Sequence, residues 1–173
     1  MEQRLAATTR ASAERRNRME LRSSTNTVME NNFKHTQSSG GVVLNGNGEV
    51  IVVSQRGTSW SLPKGQREEG EDMLTAAKRE IYEEAGINDL EFIKEIGSYG
   101  RFGLIGGVEN KSELKTITMF LFRTKENHLQ PVDPENPEAR WVQIEKVAEL
   151  LTHPKDKEFF LGIVKEVQKF HEK

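Results

Sequence analysis

Residues 65–87, GQREEGEDMLTAAKREIYEEAGI, constrain this chain of 173 residues more than any other stretch, because they carry both ends and both faces of one helix. Asp72 is an N-cap, its carboxylate placed to accept from the free amides of the first turn. Gly86 is free to take the left-handed conformation that stops a helix, with Ile87 packing back beyond it. At about 100° per residue, Leu74, Ala77, Ile81 and Ala85 fall on one stripe that needs a core to pack on. Glu80, Glu83 and Glu84 stand at i, i+3 and i+4, so their carboxylates gather on the neighbouring face. Arg79 flanks them, one turn before Glu83.

Like charges at these spacings cost an isolated helix roughly 0.2–0.5 kcal/mol per pair. Arg79 is expected to neutralise part of one carboxylate at most. A charge-rich helix is often just a solvated face, but a purely structural one more often alternates Glu with Lys. Three hard oxygen ligands beside an apolar stripe suit Mg²⁺, which takes one or two carboxylates together with substrate phosphates and water. Ahead of the helix, Leu62-Pro63-Lys64-Gly65 leads into a loop where Gly65 and Gly70 let the backbone turn tightly and approach a ligand. Glu68 and Glu69 read as solvated loop charge.

Gly65, Glu71, Arg79, Glu80, Ile81, Glu83, Glu84, Gly86 and Ile87 fit G-x5-E-x7-R-E-U-x-E-E-x-G-U, with U a bulky aliphatic residue, at every fixed place. The stretch therefore resembles the Nudix box, the motif of a large family of hydrolases acting on nucleoside diphosphates linked to another group. The resemblance implies an α/β/α sandwich of the α+β class, with a mixed sheet and a loop–helix–loop motif, over about residues 38–171. It implies that the Lys64 carbonyl joins Glu80, Glu83 and Glu84 in holding Mg²⁺, with Mn²⁺ as a substitute. Gly65, Glu71, Arg79 and Gly86 are then expected to hold the motif in shape. The general base varies in such enzymes. Glu80 and Glu84 are the helix candidates; Glu135 and Glu138, shortly before Trp141, are the loop candidates, each equally readable as a surface glutamate.

For the substrate, Arg56, Lys64 and Arg101 are candidates to neutralise a polyphosphate. Trp60, Tyr99 and Phe102 are candidates to stack on a base, or else are core and rim packing. WSLPKG followed by the box looks most like the dinucleoside polyphosphate hydrolases, with diadenosine tetraphosphate as the expected type of substrate. Diphosphoinositol polyphosphate hydrolases have a similar tryptophan-to-proline approach. Hydrolases of RNA 5′ ends often carry a glutamine and paired glycines there, where this chain has Lys64-Gly65-Gln66. Two departures loosen the assignment. The tyrosine common in dinucleoside polyphosphate hydrolases past the box is replaced by Gly103-Leu104-Ile105, and the proline of ADP-ribose hydrolases is missing too. A non-catalytic sensing or RNA-binding module is the alternative class, against which every box carboxylate is retained.

One ordinary domain is expected, over residues 38–173. With no cysteine, disulfides and cysteine zinc sites are excluded, and a reducing cytoplasm fits. No apolar run approaches membrane-spanning length. Residues 1–37 hold seven Lys/Arg against four Glu, while the remainder is net acidic. This segment reads as a flexible, weakly basic extension; a targeting peptide or an RNA or partner contact are lesser readings. The net charge of −2 argues against nucleic acid as a general partner, RNA ends excepted, and leaves a small nucleotide.

Beyond the box, GGVVLN, a Gly46-Asn47-Gly48 turn and EVIVVSQ read as a hairpin. A strand EFIKEIGSYGRF, a glycine-rich loop over 103–107, a strand from Thr116 and a short strand over 139–142 follow. Pro154 opens a C-terminal helix with Phe159, Phe160, Ile163, Val164, Val167 and Phe170 on its apolar face. His35, His128, His153 and His171 lack metal-ligand spacing and read as surface residues.

Overall fold

The structure, a computed structural model, describes residues 33–171. The extension expected over 1–37 therefore lies mostly outside the described residues. Its last four residues do not belong to an extension, because Lys34 already opens the first strand. KHTQ carries no apolar signal, but its backbone runs parallel to residues 113–116 and is fixed by that ladder.

In chain order the elements are β1 (Lys34–Leu44), β2 (Glu49–Gln55), β3 (Ser59–Ser61), β4 (Lys64–Gln66), α1 (Met73–Ala85), β5 (Glu91–Ile105), β6 (Val108–Arg123), β7 (Ala139–Gln143), α2 (Ile144–Leu150) and α3 (Pro154–His171). The strands form one mixed sheet in the order β3-β2-β1-β6-β5, with β4 added to β1 and β7 to β2. The expected glycine-rich loop is smaller than 103–107: Gly103, Leu104 and Ile105 pair with Asn110, Glu109 and Val108, and only Gly106-Gly107 turn. Short α2 follows β7 without a side-chain cap, and no sequence signal marked it.

Over Gly41–Leu44, Val50–Val53 and Met119–Phe122 both sheet faces are covered, so these stretches carry no alternating polar residues. Val42, Leu44, Val50, Val52, Ile117, Met119 and Leu121 face α2 and α3, packing on Val147, Leu151, Phe160 and Val167. Val43, Ile51, Val53, Phe120 and Phe122 face α1 and take its stripe Ala77, Ile81 and Ala85. Each large side chain buried this way contributes roughly 1.5–3 kcal/mol. The result is the expected α/β/α sandwich. Asp72 caps α1 by accepting from the Thr75 amide at 2.9 Å. Gly86 ends it at φ 75°, where a side chain would also strike the Gln130 carbonyl. Among the described residues no helix is long and apolar enough to cross a membrane.

Candidate active site

Because β4 is hydrogen-bonded to β1 at Ser38–Gly40, the loop before α1 is pinned against the helix face that carries the glutamates. Gly65 has to be glycine there, since a Cβ would overlap the Glu80 carboxylate. Arg79 closes the loop. Its Nε and Nη2 donate to the Glu71 carboxylate, each at 2.9 Å, and Nη2 also reaches the Gln66 carbonyl at 3.0 Å. Its Nη1 donates to Glu80 at 2.7 Å and to Glu83 at 3.2 Å. The expectation that Arg79 offsets one carboxylate at most is thus wrong: a planar guanidinium has five donors and serves three. Those contacts hold Arg79 charged well above its ordinary range, Glu71 first among them.

Glu84 is the most enclosed of the cluster, 3 % exposed. Its Oε2 accepts from the Lys64 amide at 2.9 Å, and its Oε1 accepts from Gln55 at 3.1 Å and Asn136 at 3.0 Å. Burial pushes its carboxyl up to about 8, with Glu80 and Asp133 adding to the effect and Lys64 opposing it. Burial likewise raises Glu80, against Arg79. Gln55, Asp133 and Asn136 carried no sequence signal; the loop holding two of them is tied to α1 where the Val132 and Asp133 amides donate to the Glu83 carbonyl.

Among the described residues no three acidic or histidine side chains stand gathered as a finished cation cage. The reason is visible in the contacts, because Arg79 occupies Glu80 and Glu83 while Glu84 turns to neutral donors. The donor set still fits Mg²⁺. The oxygens are hard, they share one cavity of about 410 Å³, and Glu84 is a desolvated carboxyl group with no ion-pair partner among the described residues.

Of the loop candidates, Glu135 lines this cavity and stands 3.5 Å from Arg56. Glu138 does not line it; its carboxylate pairs with Arg140, whose guanidinium lies 4.5 Å over the Trp60 ring. A second cavity, about 510 Å³, adjoins the first and is walled by Trp60, Ser59, Thr152 and Leu104. Arg56, Arg101, Lys115 and Gln55 line both, so the two form one groove with cations at its middle.

Beneath that middle lies a residue the sequence did not single out. Asp156, in the first turn of α3 and 1 % exposed, forms ion pairs with Lys64 Nζ at 3.3 Å and Arg101 Nε at 3.1 Å and accepts from the Tyr99 hydroxyl at 2.7 Å. Burial would raise its carboxyl, but Lys64 and Arg101 outweigh it and hold it below the usual range. Lys64, buried with it, is lowered by that burial against the pull of Asp156. The Lys64 side chain is therefore a buried bolt rather than an open phosphate ligand. Tyr99 is not a base platform either: its ring stacks on Phe159 at 4.5 Å and its hydroxyl is engaged. Phe102 sits edge-on to Phe33. His153, expected on the surface, is 5 % exposed. Its Nε2 donates to the Phe102 carbonyl at 2.9 Å, and its Nδ1 accepts from the Lys155 amide at 3.1 Å, which fixes a neutral ring. Burial, then Arg101, pulls its pKa below the ordinary value.

The NUDIX domain model matches residues 34–162. The chain belongs to the Nudix family. An RNA pyrophosphohydrolase of Pelagibacter ubique is 32% identical to this Nudix chain over 139 residues, covering 73% of the chain and 85% of that relative. Two solved structures share the fold at TM-score 0.62 over 78% of the chain: the E. coli dihydroneopterin triphosphate pyrophosphohydrolase, 20% identical and covered to 98%, and a C. elegans Ap4A hydrolase, 19% identical and covered to 99%. This Nudix chain is a hydrolase of pyrophosphohydrolase type.

Proposed function

We propose that the enzyme hydrolyses a phosphoanhydride bond within the 5′-polyphosphate of a nucleotide, with a dinucleoside polyphosphate such as diadenosine tetraphosphate as the leading substrate. The groove carries this reading. Trp60 stands at one end, the glutamates of α1 at the other, and Arg56, Arg101 and Lys115 line the two cavities in common. An extended chain of phosphates between a base and a metal site needs that order of chemistry.

Glu80, Glu83, Glu84 and the Lys64 carbonyl would hold Mg²⁺ or Mn²⁺. When bound, the ion supplies polarisation of phosphoryl oxygens and a lowered pKa for the attacking water. Arg56 and Lys115 neutralise the incoming phosphates, and Arg101 does so from its anchor on Asp156. Glu135 lines the same cavity on a solvent-facing loop and is the side chain we assign to accept the proton of that water. With no cysteine to protect, the chain suits a reducing, cytoplasmic setting.

A second reading, hydrolysis at the triphosphorylated 5′ end of RNA, draws on the RNA pyrophosphohydrolase that is 32% identical. Chromatography of products separates the two. Incubation with diadenosine tetraphosphate and Mg²⁺ is expected to give ATP plus AMP. Unchanged dinucleotide beside release of pyrophosphate or phosphate from triphosphorylated RNA would replace the first reading with the second.

A further inference from the structure

Gln66 is a wall of the metal-end cavity, and it is also a wall of another, about 510 Å³, that the reaction does not use. Lys34, His35, Thr36 and Arg67 line that second space, and no acidic side chain does. Two polar atoms of its wall residues are buried with no hydrogen-bond partner among the described residues: the Thr36 hydroxyl, on a residue 8 % exposed, and Arg67 Nε. Buried donors left unpaired are rare and costly, and here both belong to residues beside two further cationic or titratable groups. The wall is also stiff. The Arg67 amide donates to the Gln37 carbonyl at 3.0 Å, and Arg67 Nη1 to the Glu71 carbonyl at 2.9 Å. Donors without acceptors, positive charge without carboxylates and a fixed frame describe a site for an acceptor-only anion, that is, a phosphate group.

Its position limits whose phosphate it is. Gln66 directly follows the box glycine Gly65, so an anion here lies one residue beyond the cleavage groove. A dinucleoside polyphosphate has phosphates only between its two nucleosides, and the groove accounts for those. An RNA strand has one more phosphate for every further nucleotide. We propose that the cavity binds a downstream phosphodiester of an RNA strand whose 5′-polyphosphate occupies the groove. This rests on the RNA-end reading above and extends it.

The test uses the full chain with Lys34→Ala and His35→Ala together, both exposed and outside the catalytic groove. Steady-state hydrolysis of a short 5′-triphosphorylated oligoribonucleotide is compared with that of diadenosine tetraphosphate across a KCl series. KM for the RNA is expected to rise about three- to tenfold, and its salt slope to shrink by about 0.7 for the lost lysine contact. The dinucleotide kinetics should not move. Amide NMR supplies a second readout: a 5′-hydroxyl oligoribonucleotide should shift the Thr36 and Arg67 signals in the metal-free protein. Normal RNA hydrolysis with KM indifferent to both substitutions would overturn the cavity's role alone. No hydrolysis of RNA ends by the unaltered enzyme would remove the RNA-end reading and this role with it. Inorganic phosphate shifting the same amides as strongly as the oligoribonucleotide would reassign the cavity to free phosphate and overturn the proposal.

Discussion

Glu84 on α1, at the acidic end of the groove, and Asp156 on α3, beneath its middle, are both buried carboxylates, and they are held in opposite ways. Glu84 touches an amide and two side-chain carboxamides, all neutral, and its carboxyl is pushed up to about 8. Asp156 is buried as deeply but touches two cations and a hydroxyl, and its carboxyl is held down. Depth of burial therefore does not decide the charge; contact with a cation does. Asp156 already has its counter-charge and acts as a structural node joining α3, β4 and β5. Glu84 is left short of positive charge at the place where the chemistry would bring a divalent ion.

Glu84→Gln breaks the contrast most sharply. Its neutral carboxamide keeps the shape and removes the site for the cation, so kcat is expected to fall at least about 10²-fold, from losing several kcal/mol of metal-assisted stabilisation. The fold should persist, checked by circular dichroism and thermal melting. A folded Glu84→Gln enzyme with near-normal kcat would mean that the acidic end is not where the metal acts.

Asp156→Asn attacks the node beneath the middle of the groove, and there stability should go first. Arg101 would keep its charge and Lys64 would stay buried, both without their partner, at a cost of roughly 3–5 kcal/mol, enough to lower Tm by about 10 °C or more. Removing the buried cation as well, in Asp156→Asn with Lys64→Met, should recover part of the loss, and a double-mutant cycle in denaturant measures the coupling. Additive losses would show that the node is only a contact of convenience.

The two carboxylates also bend the pH profile of the metal-free protein in opposite directions. Folded Glu84 keeps a proton that the unfolded chain releases near its ordinary 4.5, so its contribution to stability is complete below that pH and is lost as pH rises to about 8. Asp156 has its folded pKa lowered, so its contribution is present above its ordinary 3.8 and is lost only as pH falls further. Denaturant melts in EDTA should therefore show a decline of about 1 kcal/mol or more between pH 5 and 8 that Glu84→Gln flattens. An unchanged slope in that variant would assign the decline to other groups.

The same contrast explains what could be read from the chain beforehand. The acidic end is local: Asp72, the apolar stripe, the glutamates and Gly86 lie within one helix, where period and caps place every side chain. The Asp156 node is assembled from β4, β5 and α3, and nothing in PKDKEF distinguishes its one buried aspartate from surface charge. Lys64, Arg101 and Tyr99 read as substrate contacts by residue type, but their use by Asp156 depends on which strand lies over which helix. His153 was misplaced for the same reason, being covered by β5 through the Phe102 carbonyl. Glu138 and Glu135 were indistinguishable by sequence; Arg140 draws one away, while the other stays on the groove wall.

Tyr99→Phe gives the smallest effect and separates node from groove most cleanly. The ring should keep its stack on Phe159, so little packing is lost. What goes is the hydroxyl that donates to Asp156 Oδ1, leaving that carboxylate to its two cations. A hydrogen bond to a charged group is worth about 1.5–3 kcal/mol, and the remaining ion pairs should keep the loss toward the lower value. Because Tyr99 lines neither cavity of the groove, KM for a dinucleoside polyphosphate should stay within about twofold while Tm falls by a few degrees. A large rise in KM with Tm unchanged would restore Tyr99 as a substrate contact. It would also mean that the node and the groove are not separate parts.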